Sequence, residues 1–116
     1  MRVDNASCRL AVYGTLAPGR KNHWVLERLK GTWFAGTVRG HLHPEGWGAT
    51  QGYPALVYDE SGPEVPVQVF ESSDLPKHWS RIDEFEGPQY RRTTVPVVLS
   101  SGRKTQCHIY ELNRQG

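Results

Sequence analysis

Three acids, Asp83, Glu84 and Glu86, stand close together at the end of a helical pattern, and they are not equivalent. At about 100° per residue, Trp79, Ile82 and Glu86 all fall within about 40° of Leu75 and share its face. Glu84 points the opposite way and Asp83 falls to one side, so both are expected to face solvent or the helix flank. Glu86 lies in the apolar stripe. Burying a carboxylate is costly unless it is paired or hydrogen-bonded, and desolvation raises its pKa towards the range useful for proton transfer. Two readings are open. Either Glu86 is an inward general acid/base, or, in the last helical turn, it bends out to water or joins Arg81, Arg91 or Arg92 in a structural salt bridge.

A second candidate is Tyr13-Gly14-Thr15-Leu16, where an alternating run ends and the chain turns. Gly14 lets the backbone approach a ligand without a Cβ in the way, and N–H groups exposed there could hold an oxyanion or a carboxylate. An ordinary strand-ending turn is the other reading. Gly14 and Gly19 have the separation of a phosphate-binding loop, but Arg20-Lys21-Asn22 replaces the required Lys-Ser/Thr, which excludes a nucleotide site of that kind. His41 and His43 could share a strand face with Glu45 nearby, yet no third strong ligand stands at a familiar interval for a metal. Trp47, Gly48, Gly52 and Tyr53 read as an aromatic lip or as plain core edge.

The elements that must position these residues are set by periodicity. Cys8 to Tyr13 alternates as a strand. Asn22 caps a helix running to about Lys30, which Gly31 ends. Trp33 to His43 is a second strand. Tyr53 to Tyr58 and Val65 to Phe70 flank the turn Asp59-Glu60-Ser61-Gly62-Pro63, a spacing that predicts a hairpin. Ser73-Asp74-Leu75-Pro76 starts a helix that continues to Glu86 and stops at Gly87-Pro88. Tyr90 to Ser100 and Lys104 to Leu112 form a hairpin around Ser101-Gly102-Arg103. Strands dominate and are short. The predicted class is α+β, a small mixed β-barrel of about six strands with two flanking helices, because closing the sheet removes its edges.

A chain of 116 residues fits one domain, spanning 1–116, and leaves no room for a second complete core. Its 12 glycines and 8 prolines make it rich in turns, while the aromatic residues argue against disorder. A net charge of +2 with scattered basic residues predicts no nucleic-acid partner. No long apolar run or leader-like segment is visible, so neither a membrane partner nor a signal peptide is expected and the reading is cytoplasmic. Cys8 and Cys107 are expected to be small core residues.

Taken in order, Val12-Tyr13-Gly14-Thr15-Leu16, Asn22-His23, Tyr53-Pro54-Ala55-Leu56, Ile82-Asp83-Glu84-Phe85-Glu86-Gly87 and Tyr90-Arg91-Arg92 resemble the gamma-glutamylcyclotransferase-like family, in a small bacterial-type or gamma-glutamylamine cyclotransferase-like branch. The resemblance covers nearly the whole chain, from Leu10 to Tyr110. It implies a small β-barrel with flanking helices, and an enzyme that converts a γ-glutamyl amine or γ-glutamyl amino acid to 5-oxoproline with release of the amine. It implies that Glu86 is the catalytic glutamate and that Tyr13, Gly14, Thr15 and Leu16 form the loop holding the γ-glutamyl group. Tyr53 and Tyr90 match positions near the pocket. Val67 stands where many relatives carry Gly, which implies a narrower pocket floor. The chemistry requires no metal or cofactor: a base frees the α-amine, whose pKa is about 8, to attack its own γ-carbonyl. A binding domain that captures a small carboxylate or amine in the same pocket without turnover is the alternative.

Overall fold

Each alternating run forms a strand in the structure, a computed structural model that describes residues 6–13, 24–43, 55–88 and 90–113. The strands are β1 (Arg9–Val12), β2 (Thr32–His43), β3 (Ala55–Tyr58), β4 (Glu64–Glu71), β5 (Tyr90–Leu99) and β6 (Lys104–Leu112). Strand β1 pairs antiparallel with β4, β4 with β2, β2 with β5, and β5 with β6; β6 then returns to β1 through a parallel pairing of Leu10 with His108 and Ala11 with Ile109. Five strands thus close a ring, leaving β3 as the sixth. It bridges β2, antiparallel, and β6, parallel at Leu56 opposite Glu111.

The expected hairpin between the third and fourth strands does not form. Both run antiparallel to β2, one after the other: β4 covers Thr32 to Arg39 and β3 covers Gly40 to His43. Strand β2 is long enough to engage both. The Asp59–Pro63 segment is therefore an outward excursion, pinned to β2 where Arg39 O accepts from Asp59 N at 3.2 Å and Gly40 N donates to Pro63 O at 3.0 Å. Asp59 Oδ1 accepts from Ser61 N and Asp59 Oδ2 meets His41 Nε2 at 2.9 Å, so His41 holds this turn.

The helices are shorter than their sequence patterns. Helix α1 is one turn, Trp24–Glu27; Leu26 within it and Leu29 just after it are buried. Gly31 is needed for a close approach rather than for a helix end: a Cβ there would lie 2.3 Å from Glu71 O and 2.7 Å from the Phe70 ring. The second pattern breaks in two, a 3-10 turn at Leu75–Lys77 and helix α2 at Trp79–Glu86. The earlier turn is bonded i to i−3, with Lys77 N on Asp74 O and His78 N on Leu75 O, so the α-helical register begins only at Trp79. Leu75 is buried all the same.

Period-two alternation sorts the core into two clusters. Ala11, Val38, Val69, Val97 and Ile109 fill the barrel. Leu10, Phe70, Leu75, Trp79, Ile82 and Tyr110 pack between its outer wall and α2. Each fully buried aliphatic side chain contributes about 1.5–3 kcal/mol. Parity decides which strand residues reach the helix: on β6, Ile109 points into the barrel and Tyr110 points towards α2. Val67 belongs to the barrel cluster, opposite Gly36. Cys107 lies in the same cluster, as expected, whereas Cys8 is only half-buried because the 3-10 turn Ala6–Cys8 sits outside β1. No helix among the described residues is long and apolar enough to cross a membrane.

Candidate active site

The last turn of α2 delivers Glu86 to the barrel. Trp79 and Ile82 on the same face are buried, Glu84 is exposed, and Glu86 is half-buried. Helix α2 ends where Gly87 turns the chain with φ 87°, its N–H on Asp83 O at 3.0 Å; a residue with a side chain is strained in that conformation. Tyr90 N then bonds Gly87 O, so β5 starts immediately beside the carboxylate.

Burial, reinforced by the negative charge of Asp83, raises the Glu86 carboxyl from 4.5 to about 7. No described residue donates a hydrogen bond to it or forms an ion pair with it. The salt bridge considered for Glu86 is made by Asp83 instead. Asp83 lies on the helix flank, as expected, with its side chain 43% exposed, but it is paired: its Oδ1 lies 2.8 Å from Arg92 Nε and its Oδ2 3.1 Å from Arg92 Nη2, and Oδ1 also accepts the Tyr110 hydroxyl at 2.6 Å. Burial alone would push Asp83 up. The Arg92 and Tyr110 hydrogen bonds, with the Arg92 charge, outweigh it and hold Asp83 below the usual carboxylate range.

Arg92 has further partners besides Asp83. Its third donor, Nη1, lies 2.9 Å from His108 Nδ1, which must accept because a guanidinium cannot, so the proton of the neutral imidazole sits on Nε2. Burial and the Arg92 charge lower the His108 pKa against the pull of Asp83. The guanidinium lies 4.5 Å from the Trp79 ring centroid, Trp79 stacks on His108 at 4.8 Å, and Trp79 Nε1 donates to Ser7 O.

Tyr13 directly follows β1, on the parity of Ala11. Its hydroxyl donates to Tyr110 O at 2.6 Å and accepts from Leu56 N at 3.0 Å, tying the end of β1 to β6 and β3. Burial pushes the phenol far above its ordinary value; the Leu56 bond opposes this, and Tyr90, Glu86 and Glu111 add to it electrostatically. Tyr110 is likewise pushed up, by burial first, then by Asp83, with Glu86 contributing. Glu86 therefore lies within electrostatic reach of Tyr13 and Tyr110, and Tyr90 within reach of Tyr13. Of the residues expected there, Gly14, Thr15, Leu16 and Tyr53 lie outside the described residues; the first three come directly after Tyr13 in the chain.

Sequence reasoning missed the roles of Asp83, Arg92, Tyr110 and Glu111. Glu111 is buried: its Oε1 accepts from Tyr58 N at 2.8 Å and its Oε2 from Thr93 Oγ1 at 2.5 Å, stitching β3 to β6 and β5 beneath Tyr13. The signal available was parity, since Glu111 and Tyr110 continue an alternating strand whose inward and outward positions were countable. An open cleft of about 540 Å³ adjoins the site, walled by Asp83, Gly87, Tyr90, Arg92 and Tyr110. Its walls do not include Glu86 or Tyr13. Among the described residues, no group of three or more metal-ligating side chains could hold an ion.

Comparison with known proteins bears on this arrangement. The family described as gamma-glutamyl cyclotransferase, AIG2-like, matches residues 10–116. The chain is 31% identical over 125 residues to the gamma-glutamylaminecyclotransferase of Bos taurus, covering 93% of this chain and 69% of that protein. The crystal structure of an AIG2-like protein from Mus musculus superposes with a TM-score of 0.69 at 26% identity, over 90% of this chain and 76% of that one. YkqA from Bacillus subtilis has a TM-score of 0.69 at 27% identity over 91% of this chain, which spans only 36% of the YkqA chain.

Proposed function

This chain belongs to the gamma-glutamyl cyclotransferase, AIG2-like family of enzymes, and on that premise we propose that it cleaves a γ-glutamyl amine or γ-glutamyl amino acid to 5-oxoproline, with Glu86 as general base and then general acid. The observation that carries the reading is Glu86 itself, a desolvated carboxyl without a cation or hydrogen-bond donor among the described residues, with a pKa raised to about 7. An α-ammonium has a pKa of about 8, so proton transfer to Glu86 is nearly balanced in free energy.

The deprotonated α-amine attacks its own γ-carbonyl. A C–N bond closes the five-membered ring, and the carbonyl oxygen becomes an oxyanion. The N–H groups of Gly14, Thr15 and Leu16 stabilise that charge, next to the anchored Tyr13, while Tyr53 and Tyr90 flank the substrate. The amide C–N bond then breaks as protonated Glu86 returns its proton to the departing amine, and the ring nitrogen gives its surplus proton to the carboxylate so freed, leaving the lactam N–H of 5-oxoproline. Attack is intramolecular, so holding the γ-glutamyl group in a folded conformation supplies much of the acceleration.

Incubating the purified protein with a panel of γ-glutamyl amines and γ-glutamyl amino acids, and assaying 5-oxoproline, tests the reading. At least one member should turn over, and Glu86→Gln should lower kcat by about 10²–10⁴-fold with the fold intact. Activity that survives Glu86→Gln removes Glu86 from the chemistry. Calorimetric binding of 5-oxoproline with no turnover across the panel converts the protein to a binding domain.

A further inference from the structure

Asp83, which the helical pattern placed towards solvent or the helix flank, is held at the site by three hydrogen bonds. Asp83 lies one helical turn before Glu86, so their Cβ atoms are about 5–6 Å apart. Its two oxygens take three hydrogen bonds from two strands: Arg92 of β5 donates two, and Tyr110 of β6 donates one. Arg92 is in turn immobilised by His108 and by the Trp79 ring. Tyr110 accepts the Tyr13 hydroxyl through its own carbonyl, so the clamp on Asp83 is continuous with the anchor at the end of β1.

We propose that Asp83 is a positioning residue for Glu86: clamped by Arg92 and Tyr110, it fixes the last turn of α2 on the barrel and places a permanent negative charge against which Glu86 ionises. This rests on Glu86 being the proton-transfer group. The groups in electrostatic reach of Glu86 are Asp83 from α2, Tyr13 directly after β1 and Tyr110 from β6; Arg92 of β5 and His108 of β6 stand behind them, against Asp83. Phenols are neutral near pH 7, so Asp83 is the charge that acts on Glu86. Arg92, paired to Asp83 at 2.8 Å, offsets that charge, so removing either partner should move Glu86 in opposite directions, which a purely structural clamp does not do.

The test reads Glu86 directly by carboxyl ¹³C NMR titration of the full chain, which needs no turnover. Replacing the charge with Asp83→Asn should lower the Glu86 midpoint by about one pH unit, and Arg92→Gln, which exposes the Asp83 charge, should raise it. Asp83→Glu, retaining the charge, should leave it within a few tenths of a unit. The pH profile of kcat/KM should show the same order, with KM changing less than kcat. A Glu86 midpoint that is unmoved in folded Asp83→Asn, or that moves the same way in Asp83→Asn and Arg92→Gln, overturns the proposal. If Asp83→Asn does not fold, the sign of the Arg92→Gln shift decides. Absence of 5-oxoproline release by the wild type sinks the cyclotransferase reading alone, because the titration still reports whether Asp83 sets the proton affinity of Glu86.

Discussion

At the scale of single residues, Glu86 links chemistry to stability. Its carboxyl binds a proton more tightly in the native state, at about 7, than at its ordinary 4.5. Between these values the folded chain holds a proton that the unfolded chain has lost, so stability contributed by this group falls as pH rises through the window. Glu86→Gln is expected to stabilise the fold above pH 7, by at most about 3 kcal/mol, and to do little below pH 4.5; denaturant titrations of both proteins at pH 5 and pH 8 check this. Tyr13→Phe should act oppositely. It strands the buried Leu56 N–H and the Tyr110 carbonyl, a loss of about 1–3 kcal/mol in the same measurement. Glu86 was legible from helical angles because its face is set by neighbours within one turn or two. Asp83 was not, because its partners Arg92 and Tyr110 arrive from strands whose order the local pattern does not encode.

Among the elements, β3 shows where local reasoning stops. Its residues read correctly as a strand, and so did those of β4, but the short turn between them implied a pairing that β2 takes from both. The residue that permits this is Gly40, where β4 gives way to β3 along β2. A Cβ there would stand 2.6 Å from Val57 O and 3.2 Å from the Leu56 side chain. Gly40→Ala should therefore push β3 off β2 and cost about 1–3 kcal/mol, loosening the Leu56 contact that seats Tyr13. Gly102→Ala makes the contrast: its φ of 91° disfavours a side chain, yet nothing lies within 4 Å of the added carbon. Its expected cost is about 1 kcal/mol, with activity unaffected; thermal unfolding and kcat/KM of the two variants distinguish interior contact from turn strain.

For the whole molecule, closure of the barrel is what makes the site, since the parallel return of β6 to β1 brings the chain's last strand beside Tyr13. The strand count and the class were readable from alternation, but that return was not, because two-residue pairings at Leu10 and Ala11 leave no mark in composition. Ile109 pairs with Ala11 there and is fully buried, so Ile109→Ala should cost about 2–5 kcal/mol and lower activity through the same displacement. The central claim is that one inward carboxyl at the end of α2 moves the proton in a cyclisation. It is met most directly by kcat/KM for 5-oxoproline release from one γ-glutamyl amine, measured against pH for the wild type and Glu86→Gln. The wild type should gain activity with rising pH through a midpoint near 7, and Glu86→Gln should be reduced at every pH with that limb gone. The same limb surviving in Glu86→Gln, at comparable rates, would contradict the account.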